Sequence, residues 1–323
     1  MKAIRIHQFG PTEEVLQYEE VSTPQPGAEE VLIKVEAASL NRADLSLRKG
    51  SYRTKPEDLP LIPGREFAGI VTSLGSQVSG FRKGERVVAN TGLGGYAEYA
   101  VAKASSIRPV PDGIDAVTAA AVPTIFLTAW FALTEDGKLK SGEELLIQAG
   151  GSGVGTAAIQ VGKHLEARVI TTAGTEEKCR RLKALGTDEA INYRVQNFKE
   201  ESLRLTMGRG VDVVLEMIGG EVYTKSLELL APGGRLVSIG GAFGPIPDSP
   251  PSLTENRRAT RFSITNYLNA HPEGLKQLDT ILDLIRRKKF QVVIDRTFPL
   301  SEARAAQRYL EGREHFGKIV LTV

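Results

Sequence analysis

The sequence predicts an α/β protein, a doubly wound parallel sheet inserted within a β-rich domain. Three observations predict it. Between residues 145 and 239, short apolar runs alternate with helix-length stretches, the order that lays helices on both faces of a parallel sheet. The first 120 or so residues instead carry short apolar runs punctuated by Gly and Pro, as at Pro24, Pro26, Gly27, Pro63 and Gly64. A glycine-rich segment, Gly150-Gly151-Ser152-Gly153-Val154-Gly155, separates the first strand of the alternating region from its first helix.

The elements follow in order. Residues 1–6 alternate apolar and basic side chains and read as a strand. Residues 30–36, 67–71, 84–89 and 96–101 continue the β-rich part. The style changes near Pro123, and 124–133 is an apolar, helix-compatible run. Strands are then expected at 145–147, 168–172, 190–193, 211–215 and 235–239. Helices are expected between them at 154–165, 176–185, near 200–208 and at 222–230. After a Pro-rich loop at 245–251 come a helical stretch and a last strand, 318–323, expected to return to the first domain. The expected division is 1–124 with 267–323 for one domain and 125–266 for the other.

Composition excludes several classes. The chain has 323 residues, 41% hydrophobic and 25% charged, and is neither disordered nor membrane-like. No apolar run approaches the ~20 residues that span a bilayer, and residues 1–6 are too short and charged for a secretion signal. A cytoplasmic location is expected. The net charge of +2 argues against nucleic acid as a partner; the one dense basic cluster, Arg286-Arg287-Lys288-Lys289, reads as a solvated helix end. Cys179 is the single cysteine, which excludes an intrachain disulfide and a multi-cysteine zinc site.

The glycine segment carries the sharpest chemistry. Glycines between a strand and a helix let the backbone turn tightly and approach a pyrophosphate, with the helix N-terminus supplying N–H groups. Thr156 takes the last glycine position of the usual spacing, but the four βα units that follow support dinucleotide binding. The second strand ends Ile170-Thr171-Thr172-Ala173-Gly174-Thr175, without the acid that would grip the ribose 2′-hydroxyl of NAD. That absence permits a 2′-phosphate, and Lys178, Tyr193 and Arg194 are placed to meet one. NADPH is therefore the expected cofactor.

Several further segments, in order along nearly the whole chain, resemble a known family. They are Asn41-Arg42-Ala43-Asp44, Pro63-Gly64-Arg65-Glu66-Phe67-Ala68-Gly69, Gly95-Tyr96-Ala97-Glu98-Tyr99, Leu127-Thr128-Ala129 and Gly317-Lys318-Ile319-Val320-Leu321. The chain resembles the medium-chain dehydrogenase/reductase superfamily and, within it, the zinc-free, zeta-crystallin-like quinone oxidoreductases. The resemblance implies a Rossmann domain inserted in a GroES-like catalytic domain, and a homodimer joined at an edge strand near residues 261–264. The zinc alcohol dehydrogenases of that superfamily carry a catalytic cysteine and a Gly-His-Glu segment, where this chain has Asn41 and Arg65. Zinc needs thiolate, imidazole or carboxylate ligands in a tetrahedral set. Cys179 and the scattered His7, His164, His271 and His315 do not supply one, and no metal is expected.

For the cofactor, the resemblance implies contacts from Gly150, Ser152, Gly153, Val154, Lys178, Tyr193 and Thr128, with Gly241, Ala242 and Phe243 along the nicotinamide side. Asn41, Asp44, Thr172, Thr175, Ile218 and Lys318 complete that set. Without a metal, a conjugated carbonyl is the easier substrate, because hydride addition leaves an enolate or phenolate that a hydrogen-bond donor can stabilise. Tyr52 is the expected donor, and Asn41 the expected partner of the substrate or the nicotinamide ribose. Asn41 also fits a cap on a helix beginning near Ala43, and Tyr52 a packing role. Glu66 is expected to pair with Arg65 or another base. Where some relatives have a second tyrosine, this chain has Ser46. The function expected is NADPH-dependent reduction of quinones or similar conjugated carbonyls. The alternatives are an enone or enal double-bond reductase, or an NADPH-sensing or RNA-binding protein with little turnover.

Overall fold

The computed structural model describes residues 1–52, 54–241, 244–247 and 252–323. The chain divides into two units, Met1–Thr124 with Leu275–Val323, and Ile125–Gly274.

In chain order, the first unit opens with strands β1 (Lys2–Ile6), β2 (Leu16–Glu20) and β3 (Glu30–Ser39) and helix α1 (Arg42–Arg48). Strands β4 (Glu66–Leu74), β5 (Arg86–Asn90), β6 (Tyr99–Lys103) and β7 (Ile107–Pro109) and the short helix α2 (Ala116–Ala120) follow. Helix α3 (Pro123–Phe131) leads into the second unit. That unit runs β8 (Glu144–Ile147), α4 (Gly153–His164), β9 (Arg168–Ala173), α5 (Glu176–Ala184), β10 (Glu189–Asn192) and α6 (Phe198–Leu205). It continues with β11 (Val211–Glu216), α7 (Gly220–Glu228), β12 (Leu230–Ser238), β13 (Arg258–Arg261) and α8 (Ile264–Ala270). Helix α9 (Gln277–Arg286), strand β14 (Ile294–Pro299), helix α10 (Ala303–Gly312) and strand β15 (Lys318–Thr322) complete the first unit.

The second unit is a parallel sheet of six strands in the order β10-β9-β8-β11-β12-β13. The order reverses direction beside β8, so the loops after β8 and β11 leave the sheet at the topological switch point, where ligands of such sheets bind. Its inner strands are covered on both faces, which is why Leu145, Leu146 and Ile147, and Val213, Val214 and Leu215, are all fully buried rather than alternating. Leu146, Ile170, Ile191, Val214, Leu227 and Leu236 form one of its apolar clusters.

The first unit is built on a sheet of seven strands, β14-β15-β3-β4-β5-β7 with β6 paired to β3. Strand β15 lies antiparallel to β3, with Val320 opposite Ser39, and parallel to β14. Ile33, Val35, Phe67, Val71, Val87, Ile319 and Leu321 share its core.

The doubly wound sheet and the β-rich domain expected from the sequence are thus both present, while several boundaries move. The 124–133 run starts its helix at Pro123 and passes from Phe131 into a π-helical turn, Ala132–Asp136. Leu230 begins β12 rather than ending α7. Tyr96 precedes β6 and is wholly buried, an internal anchor rather than a strand residue. Part of the 245–251 loop lies outside the described residues.

Candidate active site

In the second unit, β8 delivers the chain to a tight turn in which Ala149 takes a φ of 55°. The turn tolerates no side chain at Gly150, where a Cβ would lie 2.1 Å from Thr171 Oγ1 on β9. At Gly155 a Cβ would lie 2.4 Å from the Ala149 carbonyl oxygen, so the first turn of α4 rests directly on the loop. Ser152 caps α4; its Oγ accepts from Gly155 N at 3.0 Å and faces Met217 Sδ at 3.3 Å. The amides of Gly153 and Val154 fall in the first turn, where a helix offers them no acceptor and its dipole favours an anion. Ser152 therefore shapes the loop with its hydroxyl, while Gly153 and Val154 offer N–H groups.

At the end of β9, Thr172 turns its hydroxyl inward. It is 1% exposed, its Oγ1 donating to Gln148 Oε1 at 2.8 Å and accepting from Ala149 N at 3.1 Å. It braces the glycine turn from beneath. Gly174 follows, and a Cβ there would meet Tyr193 Oη at 2.6 Å, so Tyr193 folds over the strand end. Thr175 caps α5, its Oγ1 accepting from Lys178 N at 3.2 Å. Tyr193 is 52% exposed, and Arg194 adjoins it. Tyr193 and Arg194 thus lie against Gly174, just past a strand that itself ends without a carboxylate, and Lys178 follows in the first turn of α5 beside Glu176 and Glu177.

Sequence reasoning missed Glu216, the last residue of β11. It is fully buried, and its Oε1 accepts from Ile218 N at 2.6 Å and Gly219 N at 2.8 Å. Burial pushes its carboxyl pKa up, against the pull of the Gly219 and Ile218 amides. Glu216 folds the loop that holds Ile218. An acid directly after the apolar run Val213-Val214-Leu215 was the available signal. That loop meets the one after β12, since Gly220 N donates to Pro245 O at 2.9 Å and a Cβ on Gly219 would lie 2.2 Å from Gly244 O and 3.2 Å from Gly241 Cα. Gly241 and Ile218 therefore share one edge of the unit. Ala242 and Phe243 lie outside the described residues. Thr128, on α3, is 6% exposed.

In the first unit, β3 ends at Ser39 and Asn41 occupies the cap position of α1. Its own amide is not the cap. Instead Asp44 Oδ2 accepts from Asn41 N at 2.8 Å and from Tyr96 Oη at 2.9 Å. Asp44 is 1% exposed, and burial pushes its carboxyl pKa up. Both of these bonds hold the α1 start in place.

The Asn41 amide faces a buried ion pair. Asn41 Nδ2 donates to Glu66 Oε1 at 2.8 Å, and Lys318 Nζ donates to Asn41 Oδ1 at 3.0 Å. Lys318 Nζ also donates to Glu66 Oε1 at 2.9 Å and to Leu40 O at 2.6 Å. Ser39 Oγ donates to Glu66 Oε1, and Thr124 N donates to Glu66 Oε2 at 2.6 Å. An ammonium has three N–H bonds, and the three protein acceptors use them all. Lys318, 3% exposed, therefore supports Asn41. It is also the base that pairs with Glu66.

Burial alone would raise the Glu66 pKa, but the Lys318 ammonium and the Ser39, Asn41 and Thr124 donors hold it below its ordinary 4.5. A lowered folded-state value means stability that is present above the ordinary pKa and lost as pH falls through the folded one. The melting temperature of the wild type is therefore expected to fall more steeply between about pH 5 and pH 3 than that of Glu66→Gln. Equal slopes by circular dichroism would remove Glu66 from the acid limb.

Tyr52 lies on the neighbouring loop. Arg65 Nη1 donates to Tyr52 Oη at 3.3 Å, and the guanidinium sits 5.7 Å from the ring centroid. Burial would lower the Arg65 pKa, but the Tyr52 oxygen and the Asp44 and Glu66 carboxylates hold it up. Tyr52, Gly50, Ser51, Thr54, Lys55, Glu57 and Asp58 line an open cavity of about 510 Å³. Among the described residues, no group of three or more His, Cys, Asp or Glu is placed to hold a metal ion.

Comparison with known proteins agrees with this arrangement. Residues 27–112 match the alcohol dehydrogenase GroES-like domain, and residues 185–321 match the family model described as zinc-binding dehydrogenase. The mouse quinone oxidoreductase is 33% identical over 99% of this chain and 97% of its own length. This chain belongs to the quinone oxidoreductase family of the medium-chain dehydrogenases/reductases. Among solved structures similar to this quinone oxidoreductase family member is the Escherichia coli quinone oxidoreductase complexed with NADPH, at 30% identity and a TM-score of 0.93 over the whole of both chains. Another, described as an NAD-dependent alcohol dehydrogenase, is 32% identical with a TM-score of 0.90, again over the whole of both chains. Fold alone therefore does not separate the two nicotinamide cofactors within this family, and the end of β9 becomes the place to look.

Proposed function

We propose that this chain is an NADPH-dependent reductase that transfers hydride to quinones or similar conjugated carbonyls without a metal. One observation supports the cofactor choice: β9 itself ends without a carboxylate, Tyr193 and Arg194 lie against Gly174 just beyond it, and Lys178 follows in the first turn of the Thr175-capped helix. The close-packed turn at Gly150 and Gly155, with the Gly153 and Val154 amides at the start of α4, fits a pyrophosphate. Ile218 and Gly241, with Ala242, Phe243 and Thr128, complete the nucleotide contacts in this reading. NADPH, when bound, supplies the hydride.

The protein's own groups handle the oxygen and the proton. Tyr52 Oη donates a hydrogen bond, and then its proton, to the substrate oxygen as negative charge grows there. Arg65, donating to that same Oη, stabilises the tyrosinate left behind. Asn41 hydrogen-bonds the substrate or the nicotinamide ribose. A conjugated carbonyl suits this equipment, since its enolate or phenolate product is a weak base that asks for no Lewis acid.

The test is nicotinamide oxidation with NADPH and NADH against a benzoquinone, a naphthoquinone, an enal, an enone and a saturated ketone, with and without chelator. Quinone turnover preferring NADPH and indifferent to chelator supports the reading; loss of turnover with chelator overturns the metal-free mechanism. Turnover of the enone or enal alone favours a second reading, double-bond reduction. Its support is that, among the described residues, Tyr52 is the one aromatic residue lining the cavity. Lys178→Ala is expected to raise KM for NADPH about tenfold, from the loss of one charge-assisted hydrogen bond, and to leave NADH unchanged. An equal effect on both cofactors would detach Lys178 from the 2′-phosphate.

The same reading includes a cytoplasmic homodimer joined through β13, which ends the six-stranded sheet and leaves one edge unpaired. Sedimentation of the purified protein tests the dimer. Among the described residues, no helix is long and apolar enough to cross a membrane.

A further inference from the structure

The Asn41 amide is held from both ends by opposite charges. Its nitrogen donates to the Glu66 carboxylate and its oxygen accepts from the Lys318 ammonium, at 2.8 and 3.0 Å. Glu66 and Lys318 in turn contact each other at 2.9 Å and are 0% and 3% exposed. An asparagine amide has two N–H bonds and two acceptor lone pairs at oxygen. Reversing it would set the amide oxygen against a carboxylate and the NH₂ against an ammonium that has only donors. Both contacts would turn repulsive in a site shielded from water, where electrostatic differences are large.

We propose that Glu66 and Lys318 are positioning residues that lock the Asn41 amide in a single orientation. One N–H donor and one Oδ1 lone pair of fixed polarity then remain for the bound nucleotide or substrate. The inference rests on the reading that Asn41 makes that contact. Four elements from three separate stretches of sequence build the lock: β3 through Ser39, the cap of α1 through Asn41, β4 through Glu66 and β15 through Lys318. Thr124 N and Leu40 O fill the remaining positions, so each ion is fully partnered. This arrangement accounts for an otherwise costly feature. A buried ion pair contributes little net stability against a well-packed apolar pair, but here it fixes the polarity of the group between its members.

A mutant cycle tests the lock. Asn41→Ala, the paired Glu66→Gln/Lys318→Met, and the triple combination are compared for kcat/KM, for NADPH dissociation constant by fluorescence quenching, and for melting temperature. The paired variant removes both charges together, so neither is left buried alone. The lock predicts that the paired variant loses about as much kcat/KM or NADPH affinity as Asn41→Ala, on the order of tenfold. It also predicts that the triple variant loses little more. A purely structural ion pair would lower the melting temperature while its loss multiplied with that of Asn41→Ala, and multiplied losses overturn the proposal. If Asn41→Ala alone changes neither quantity, the underlying contact is refuted and the proposal falls with it, a result separate from multiplied losses.

A measurement on the wild type covers the case in which the paired variant does not fold. In ¹⁵N-labelled protein, the Asn41 side-chain amide, identified by its absence from the Asn41→Ala spectrum, is expected as one pair of sharp resonances with one proton displaced downfield. Two populations, or an averaged pair, would show a free amide and overturn the lock.

Discussion

Gly155→Ala is expected to weaken NADPH binding about 100-fold. The added Cβ would stand 2.4 Å from the Ala149 carbonyl oxygen and 2.7 Å from Gly150 Cα, both backbone atoms that no rotamer change can move. Relief requires the turn to lift away from α4, which misaligns the Gly153 and Val154 amides. Overpacking of this kind costs about 1–3 kcal/mol, and about 2.7 kcal/mol corresponds to 100-fold in affinity. Gly162→Ala serves as the control on the same helix. Its Cβ would meet Leu145 Cδ2 at 2.7 Å, a side-chain atom in the sheet and not in the turn. The control is expected to lower the melting temperature and keep its NADPH affinity within about twofold. Unaltered affinity in Gly155→Ala would remove the turn from the nucleotide site.

Tyr52→Phe is the second large effect. A positioned proton donor contributes about 10²–10⁴ in rate, but the amount depends on the basicity of the oxygen it serves. Reduction of an enone places charge on an enolate, and a loss of about 100-fold in kcat is expected. A quinone leaves a far less basic phenolate, and its loss is expected to be about tenfold. The NADPH dissociation constant should not change, because the phenol acts on the other reactant. A variant with wild-type kcat on both substrates would return Tyr52 to a packing role and leave Arg65 with a neutral partner. A loss equal on both substrates would argue against proton donation and for simple positioning of the loop.

Much of the architecture was legible because periodicity and glycine chemistry are local. The alternation between residues 145 and 239 follows from strands buried on both faces, and the Gly150–Gly155 segment from a turn with no room for Cβ atoms. What escaped the sequence was the direction in which polar side chains point. Thr172 and Asp44 carry the right functional groups near the right places, yet each is turned inward to hold a backbone amide. Nothing in the order of residues distinguishes an inward Thr from an outward one at the end of a buried strand. Lys318 and Glu66 lie in segments recognised by resemblance, but their pairing joins β15 to β4, and one-dimensional patterns do not report such distant contacts. Glu216 was marked only as an acid at the end of an apolar run, and its role is to fold the loop beside it.

The seating of β15 against β3 has a consequence for biosynthesis. Asn41 and Lys318 are bonded across 277 positions of sequence, and residues 125–274 are made between them. Since domains fold as units while the chain emerges, the six-stranded sheet can be finished on the ribosome while the other sheet still lacks two strands. Throughout that interval the Glu66 carboxylate has no ammonium to face and must stay hydrated. The two halves of the nascent protein therefore mature in the reverse of their starting order, and the cluster of Asn41, Glu66 and Lys318 is among the last parts to form.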